Sequence, residues 1–178
     1  MLKFISLGSG SSGNSYLLKS DECCILIDAG INARTMKKHF KELGISLEEI
    51  DAIFVTHDHA DHIKTVGYLG EKIGIPIYST EGVHRGIQKS RYVEECITTS
   101  KRIIEKETPF MIRDFQITAF EVPHDSTDSV GYFIEYGAHR FTFATDVGHI
   151  TETVGKYICK ANHLILEANY DEEMLRFG

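Results

Sequence analysis

Six consecutive residues constrain this chain more than any other segment: His57-Asp58-His59-Ala60-Asp61-His62. They follow Asp51-Ala52-Ile53-Phe54-Val55-Thr56, a short apolar run that reads as a buried strand. Three imidazoles and two carboxylates therefore crowd the turn that leaves a strand end. A plain polar surface loop does not account for so many ligating groups behind a buried strand. Alternation along the extended chain puts His57 and His59 on one side. Asp61 and His62 come next, at the start of a helix. Two pairs of ligands can then face two adjacent cations. Imidazole mixed with carboxylate suits Zn, Fe or Mn rather than Ca or Mg.

One catalytic metal needs about three protein ligands and an open position, and two metals need more. Two further candidates stand at the ends of later strands. His124 lies in Val122-Pro123-His124-Asp125, and Asp146 in Ala144-Thr145-Asp146-Val147-Gly148, where an aspartate could bridge both ions. Strand ends are the usual place for an α/β active site. Against these readings stand a surface or capping histidine and a helix N-cap or turn aspartate. The histidines at 39, 84, 139 and 163 fall inside helices or strands and read as ordinary.

The rest of the chain alternates strands and helices. Strands are expected at residues 2–7, 15–19, 23–28, 51–56, 76–79, 115–122, 131–136, 139–144 and 163–167. The last pair before Asp146 forms a hairpin across Gly137-Ala138. Helices are expected from Asn32 to Leu43 with Gly44 as the stop, at 47–49, from about His62 to Ile73, over 80–90 and over 151–159, with another starting at Asp171. Residues 91–109 carry no readable pattern. This order predicts an α/β layout with mixed sheet direction.

The formal net charge is −7. Proteins that hold nucleic acid by phosphate neutralisation are usually basic. A nucleic-acid substrate therefore requires metal ions or a local patch to supply positive charge. The first residues are too short for a signal h-region, and no apolar run approaches a membrane span. Cys23, Cys24, Cys96 and Cys159 lack CxxC spacing and read as reduced, buried thiols of a cytoplasmic protein.

Gly8-Ser9-Gly10-Ser11-Ser12-Gly13-Asn14 follows a strand and matches the dinucleotide fingerprint GxGxxG. That fingerprint needs a helix directly after the glycines, to present its N-terminus to pyrophosphate. Here a short strand, a turn and another strand follow, so nicotinamide binding is disfavoured. The loop can instead stand beside the active site, with Ser9, Ser11 and Asn14 as substrate-side donors, or serve only as a permissive turn.

His57-x-His59-x-Asp61-His62, preceded by Leu26-Ile27-Asp28-Ala29-Gly30 and followed by His124 and Asp146, resembles the metallo-β-lactamase fold superfamily over essentially the whole chain. The glycine–serine loop through Ser15, the segments around His124 and Asp146, Leu166-Glu167-Ala168-Asn169-Tyr170-Asp171, and Glu173-Met174-Leu175-Arg176 are similar to one branch, the YycJ/WalJ-like proteins. That branch is bacterial, cytosolic and nuclease-like, and is associated with 5′→3′ exonuclease action on duplex DNA and with a cell-wall regulatory system.

The resemblance implies a four-layer αββα sandwich with mixed sheets in one domain, residues 1–178. It implies one metal on His57, His59 and His124, and a second on Asp61 and His62, with Asp146 bridging. Asp28 would orient the histidine loop. The family pattern expects a last histidine beyond position 178. The domain is therefore expected to be incomplete at its C-terminus, short of one ligand and part of the second sheet. The implied function is a dinuclear metal-dependent hydrolase, a phosphodiesterase or exonuclease, using Zn, Mn or Fe about 3.5–4 Å apart to activate a water against phosphorus. Asp58 or Asp61 would take or hold a proton. Two other readings compete: a hydrolase of the same fold acting on a thioester, lactone or lactam, and a non-catalytic metal-bound regulatory module.

Overall fold

Cys24-Ile25-Leu26-Ile27 forms a strand (β3) in which all four residues are buried. Alternation sends Cys24 and Leu26 into one apolar cluster and Ile25 and Ile27 into another. A strand buried on both faces needs a layer on each side of it. The structure, a computed structural model, describes residues 1–167 and supplies those layers.

The first sheet has the order β1-β2-β3-β4-β5-β6. Its strands are Lys3–Gly8 (β1), Ser15–Lys19 (β2), β3, Ala52–Phe54 (β4), Ile77–Ser79 (β5) and Lys101–Ile103 (β6). β1, β2 and β3 pair antiparallel, while β3 to β6 run parallel. The second sheet has the order β11-β10-β9-β8-β7. It comprises Phe110–Ile112 (β7), Phe115–Glu121 (β8), Val130–Tyr136 (β9), His139–Ala144 (β10) and His163–Leu166 (β11). All its pairings are antiparallel except β10 with β11.

Three apolar interfaces separate four layers. Met36 and Phe40 of helix α1 (Ala33–Leu43) and Val83 and Ile87 of α3 (Glu81–Lys89) pack on Leu17, Leu26, Ile53 and Ile77 of the first sheet. Ile25, Ile27 and Phe54 meet Phe115, Ile117, Tyr132 and Phe143 between the sheets. Val154 and Tyr157 of α4 (Glu152–Lys160) close on Phe120 and Phe133. Each such side chain, fully buried, contributes roughly 1.5–3 kcal/mol relative to exposure. This is the αββα sandwich, with mixed sheets, that the family resemblance implies.

Local signals were good guides to the helix ends. Asn32 caps α1 by accepting from Thr35 N at 2.9 Å, and Gly44 ends it at φ 66°. The Ser46/Glu49 capping box opens Leu47–Glu49. The expected helix from His62 to Ile73 is corrected on two points. Its first turn, α2, is Ala60–Ile63, two residues earlier, and it continues irregularly into a π-helical stretch, Tyr68–Ile73. Within 91–109 the chain contributes β6. Cys23 and Cys24 are buried free thiols, but Cys96 and Cys159 are exposed, so the buried reading fails for those two. The expected helix from Asp171 lies outside the described residues, as do Ala168–Asp171 and Glu173–Arg176. Among the described residues no helix is long and apolar enough to cross a membrane.

The strand directions explain where the polar residues collect. β3 and β4 run parallel, so Asp28 and Thr56-His57 leave the sheet on the same side. β8 and β10 both pair antiparallel with β9, so His124 and Asp146 leave the second sheet together. A bridge between His57 and Ser129, with Val130 N donating to Thr56 O at 2.9 Å, joins the end of β4 to the start of β9 across the sandwich.

Candidate metal centre

Backbone geometry shows that this end of the sandwich is built under constraint. Asp28 and Asp146 are two of the four non-glycine residues with positive φ among the described residues, at 59° and 53°. An L-residue in this left-handed region costs on the order of 1–2 kcal/mol, least for Asp and Asn. Gly30 lets the chain after Asp28 press against the histidine turn, since a Cβ there would sit 1.6 Å from Asp61 O. In return Ala29 N donates to His62 O, and Asn14 N donates to Asp61 O.

His57, His59 and His124 meet as three mutually tilted rings, with centroids 4.7, 4.8 and 4.7 Å apart. Their partners fix which nitrogen faces inward. Thr56 donates its hydroxyl to Asp28 Oδ2 at 2.8 Å and so accepts from His57 Nδ1 at 2.9 Å. That leaves His57 Nε2 as a lone pair. This atom is buried and has no hydrogen-bond partner among the described residues. His59 Nε2 donates to the Asp125 carbonyl at 2.9 Å, so its Nδ1 is the lone pair, 3.1 Å from His124 Nε2.

The other half is built around His62, whose Nδ1 donates to Asp28 Oδ2 at 2.7 Å. Its Nε2 lies 2.9 Å from Asp146 Oδ2, and the same oxygen is 3.4 Å from His57 Nε2. One carboxylate oxygen thus faces both halves. Asp61 lies at the edge, 32% exposed, with its Oδ2 3.7 Å from His62 Nε2. Two sets of donor atoms fall within 4.8 Å of one another: His57/His59/His124 and His57/His62/Asp146.

Electrostatics divide the site. Burial, followed by the neighbouring His62, pushes His57 down to about 2 despite Asp146. Burial also opposes charge on His62, but the Asp28 and Asp146 carboxylates outweigh it and raise the ring to about 10. Burial disfavours ionised Asp146, yet His62 holds it below the usual carboxylate range. His124 is lowered, mainly by burial. The cluster therefore gathers closely set nitrogen and carboxylate donors, with the buried His57 Nε2 among them left without a partner among the described residues. A divalent cation of the Zn, Mn or Fe class fits this donor set. It would occupy the orphaned His57 Nε2 and draw His59 Nδ1 and His124 Nε2, 3.1 Å apart, as further donors.

Residues 24–177 match the Beta-lactamase superfamily domain. This chain belongs to that superfamily. It is 32% identical over 176 residues to "Exodeoxyribonuclease WalJ" of Streptococcus pneumoniae serotype 2 (strain D39 / NCTC 7466), covering 99% of this chain and 65% of the relative. It is 30% identical over 177 residues to "Exodeoxyribonuclease YycJ" of Bacillus anthracis, covering 99% and 66%. The chain thus spans just under two thirds of the length of these curated relatives. Among solved structures, Zn(2+)-bound PqqB from Methylobacterium extorquens superposes with a TM-score of 0.75 at 21% identity, over 92% of this chain and 63% of that one. MEM-A1, a subclass B3 metallo-beta-lactamase from a soil metagenome library, gives 0.71 at 16%, over 92% and 75%. At these identities the likeness establishes the metallo-β-lactamase fold.

Within this superfamily member, the structure brings together His57, His59, His62, His124 and Asp146, with Asp28 behind them and Asp61 beside them. It does not bring Asp58 into the cluster. The Asp58 carboxylate accepts from Thr127 Oγ1 at 2.7 Å and Thr127 N at 3.4 Å, and packs where a Cβ on Gly86 would be 2.0 Å from it. Asp58 therefore ties the 124–129 loop, and with it His124, to the histidine turn. Ser9 and Ser11 are exposed on the glycine loop, whereas Asn14 is buried. Sequence reasoning missed Thr56 and the part of Asn14 that meets His62. Only the position of Thr56 beside His57 hints at its role. Glu167, at the end of β11, was also missed as a site neighbour: burial and then the Asp146 charge raise its carboxyl. A surface hollow of about 410 Å³, lined by Leu2, Phe4, His139, Phe141 and His163 among others, contains none of the cluster.

Proposed function

We propose that the protein is a dinuclear metal-dependent hydrolase that cleaves phosphodiesters, a 5′→3′ exonuclease acting on DNA in the bacterial cytoplasm. The observation that carries this reading is one oxygen, Asp146 Oδ2, placed between a three-imidazole set and a histidine–carboxylate set. One cation would be held by His57 Nε2, His59 Nδ1 and His124 Nε2. The other would be held by Asp61, His62 Nε2 and Asp146. When bound, the pair supplies a water acidified to a pKa of about 7 and neutralises charge on phosphoryl oxygens. Likeness to two exodeoxyribonucleases supports a nucleic-acid substrate. The net charge of −7 makes such a substrate depend on the cations, which would supply the positive charge that phosphate binding needs.

The chain's own residues then divide the labour. Asp28 keeps the His62 proton on Nδ1, so Nε2 stays a ligand. Thr56 does the same for His57, and the Asp125 carbonyl for His59. Asp61, partly exposed at the rim, is placed to accept a proton that leaves the site, whereas Asp58 is engaged with Thr127. Ser9 and Ser11, exposed on the loop that carries Asn14, offer hydroxyl donors to a phosphate chain. We assign residues 1–178 to one domain.

Digestion of 5′-phosphorylated duplex DNA with and without Mn tests this, with bis-p-nitrophenyl phosphate and a thioester as comparison substrates. The expected result is Mn-dependent release of nucleotides from the 5′-phosphorylated end. Thioester turnover with intact DNA in every metal form would overturn the reading.

A further inference from the structure

Asn14 is 1% exposed, and its amide makes five contacts to four residues. Oδ1 accepts from Gly10 N at 2.9 Å, while Nδ2 donates back to Gly10 O at 3.2 Å. This paired contact with the N–H and C=O of one residue fixes which end of the amide is nitrogen. Tyr16 OH adds a third bond, to Oδ1, at 3.4 Å. The remaining Nδ2 hydrogen is thereby aimed at the rim of the cluster, with Asp61 Oδ2 3.4 Å and His62 Nε2 3.0 Å away. The backbone is fastened too: Asn14 N donates to Asp61 O at 2.7 Å, and Gly30 N donates to Asn14 O at 2.8 Å.

Asp61 needs such a partner. It is the most exposed of the proposed ligands in its half of the site, and its oxygen stands farther from His62 Nε2 than Asp146 Oδ2 does, 3.7 against 2.9 Å. Among the described residues, Asn14 Nδ2 makes the only hydrogen bond to its carboxylate. Asn14 holds the oxygen that faces His62, Oδ2, and a carboxylate oxygen that accepts one hydrogen bond still has a lone pair to offer an ion, so a fixed donor there orients the ligand. With a cation on His62 Nε2, the Asn14 hydrogen has one acceptor left at the rim, Asp61 Oδ2.

We infer that Asn14 is a positioning residue for the Asp61/His62 cation, and that the glycine–serine loop thereby sets the affinity of the second metal and not of the first. This rests on the two-cation reading above. The loop that looks like a dinucleotide fingerprint would then be a clamp on a metal ligand, with Gly13 allowing the close approach to Gly30 beside the Asn14 backbone bonds.

The test is stepwise divalent-cation binding to the whole chain, by Co²⁺ absorption and by Zn²⁺ competition against a chelator. Asn14→Ala should weaken the weaker step by roughly 10–100-fold and leave the tighter step unchanged. In an Asp61→Ala background, Asn14→Ala should add little, because the two act through one contact. A purely structural role would instead weaken both steps and add fully to Asp61→Ala, which would overturn the inference. So would two binding steps that Asn14→Ala leaves untouched. If the alanine variant melts early, Asn14→Ser is the substitute: it keeps a small polar side chain but cannot reach Asp61, and the same outcomes apply. Wild-type chain that takes up a single cation contradicts the two-cation reading itself.

Discussion

At the residue scale, the site is governed by atoms that fix tautomers, and the sequence shows only some of them. The candidate ligand types and their spacing were plain in His57-x-His59-x-Asp61-His62, because strand alternation and a helix start are local effects. His124 and Asp146 were legible as strand-end residues. Thr56 was not, because its role depends on Asp28, whose carboxylate accepts from both Thr56 N and Thr56 Oγ1 at 2.8 Å. Asp58 was legible as a carboxylate beside the ligands but not as a tether, because Thr127 comes from the opposite sheet. Thr56→Val follows as a probe. It removes the acceptor for His57 Nδ1 and a donor to the fully buried Asp28. Leaving such groups unsatisfied costs about 1–3 kcal/mol each. Thermal denaturation should show that loss, and metal titration should show roughly 10–100-fold weaker binding at the three-imidazole set. Unchanged stability and affinity would mean that Thr56 does not set the tautomer.

At the element scale, helices with caps and strands with uninterrupted apolar runs could be read, and segments held from a distance could not. α1 declares itself through Asn32, Gly44 and the stripe containing Met36 and Phe40. The stretch 91–109 has no periodicity of its own. It is organised by Glu71, on the π-helical segment, whose carboxylate accepts from Ser100 Oγ, Ser100 N, Thr98 N and Thr99 Oγ1. The Ser100 hydroxyl first, with the other donors, lowers Glu71 to about 2. The folded-state value lies below the ordinary glutamate value of about 4.3. The stability this contributes is therefore fully present above about pH 4.3 and is lost as pH falls toward 2. Glu71→Gln should lower the melting temperature at neutral pH, by a small amount because the carboxylate is close to solvent. The gap from wild type should narrow between about pH 4.3 and 2. A gap that stays constant across that range would show that the bonds do not depend on the charge.

At the scale of the whole molecule, short strands apolar on both faces and helices interleaved with them made an α/β layout with mixed sheets legible in the sequence, while the four layers came from the family resemblance. What the sequence alone left open was how two sheets deliver four strand ends to one place. That depends on the strand directions and on the His57–Ser129 bridge, which are long-range pairings. The result joins candidate ligands from the ends of β4, β8 and β10 across the sandwich, so a bound cation would tie the two sheets together. The most direct test of this account is anomalous diffraction from crystals grown with Mn²⁺ or Zn²⁺. The account predicts two peaks. One should lie about 2.0–2.1 Å from His57 Nε2, His59 Nδ1 and His124 Nε2. The other should lie beside His62 Nε2, with Asp146 reaching both. A cluster without a peak, or a cation bound through His59 Nε2 instead of Nδ1, would contradict it.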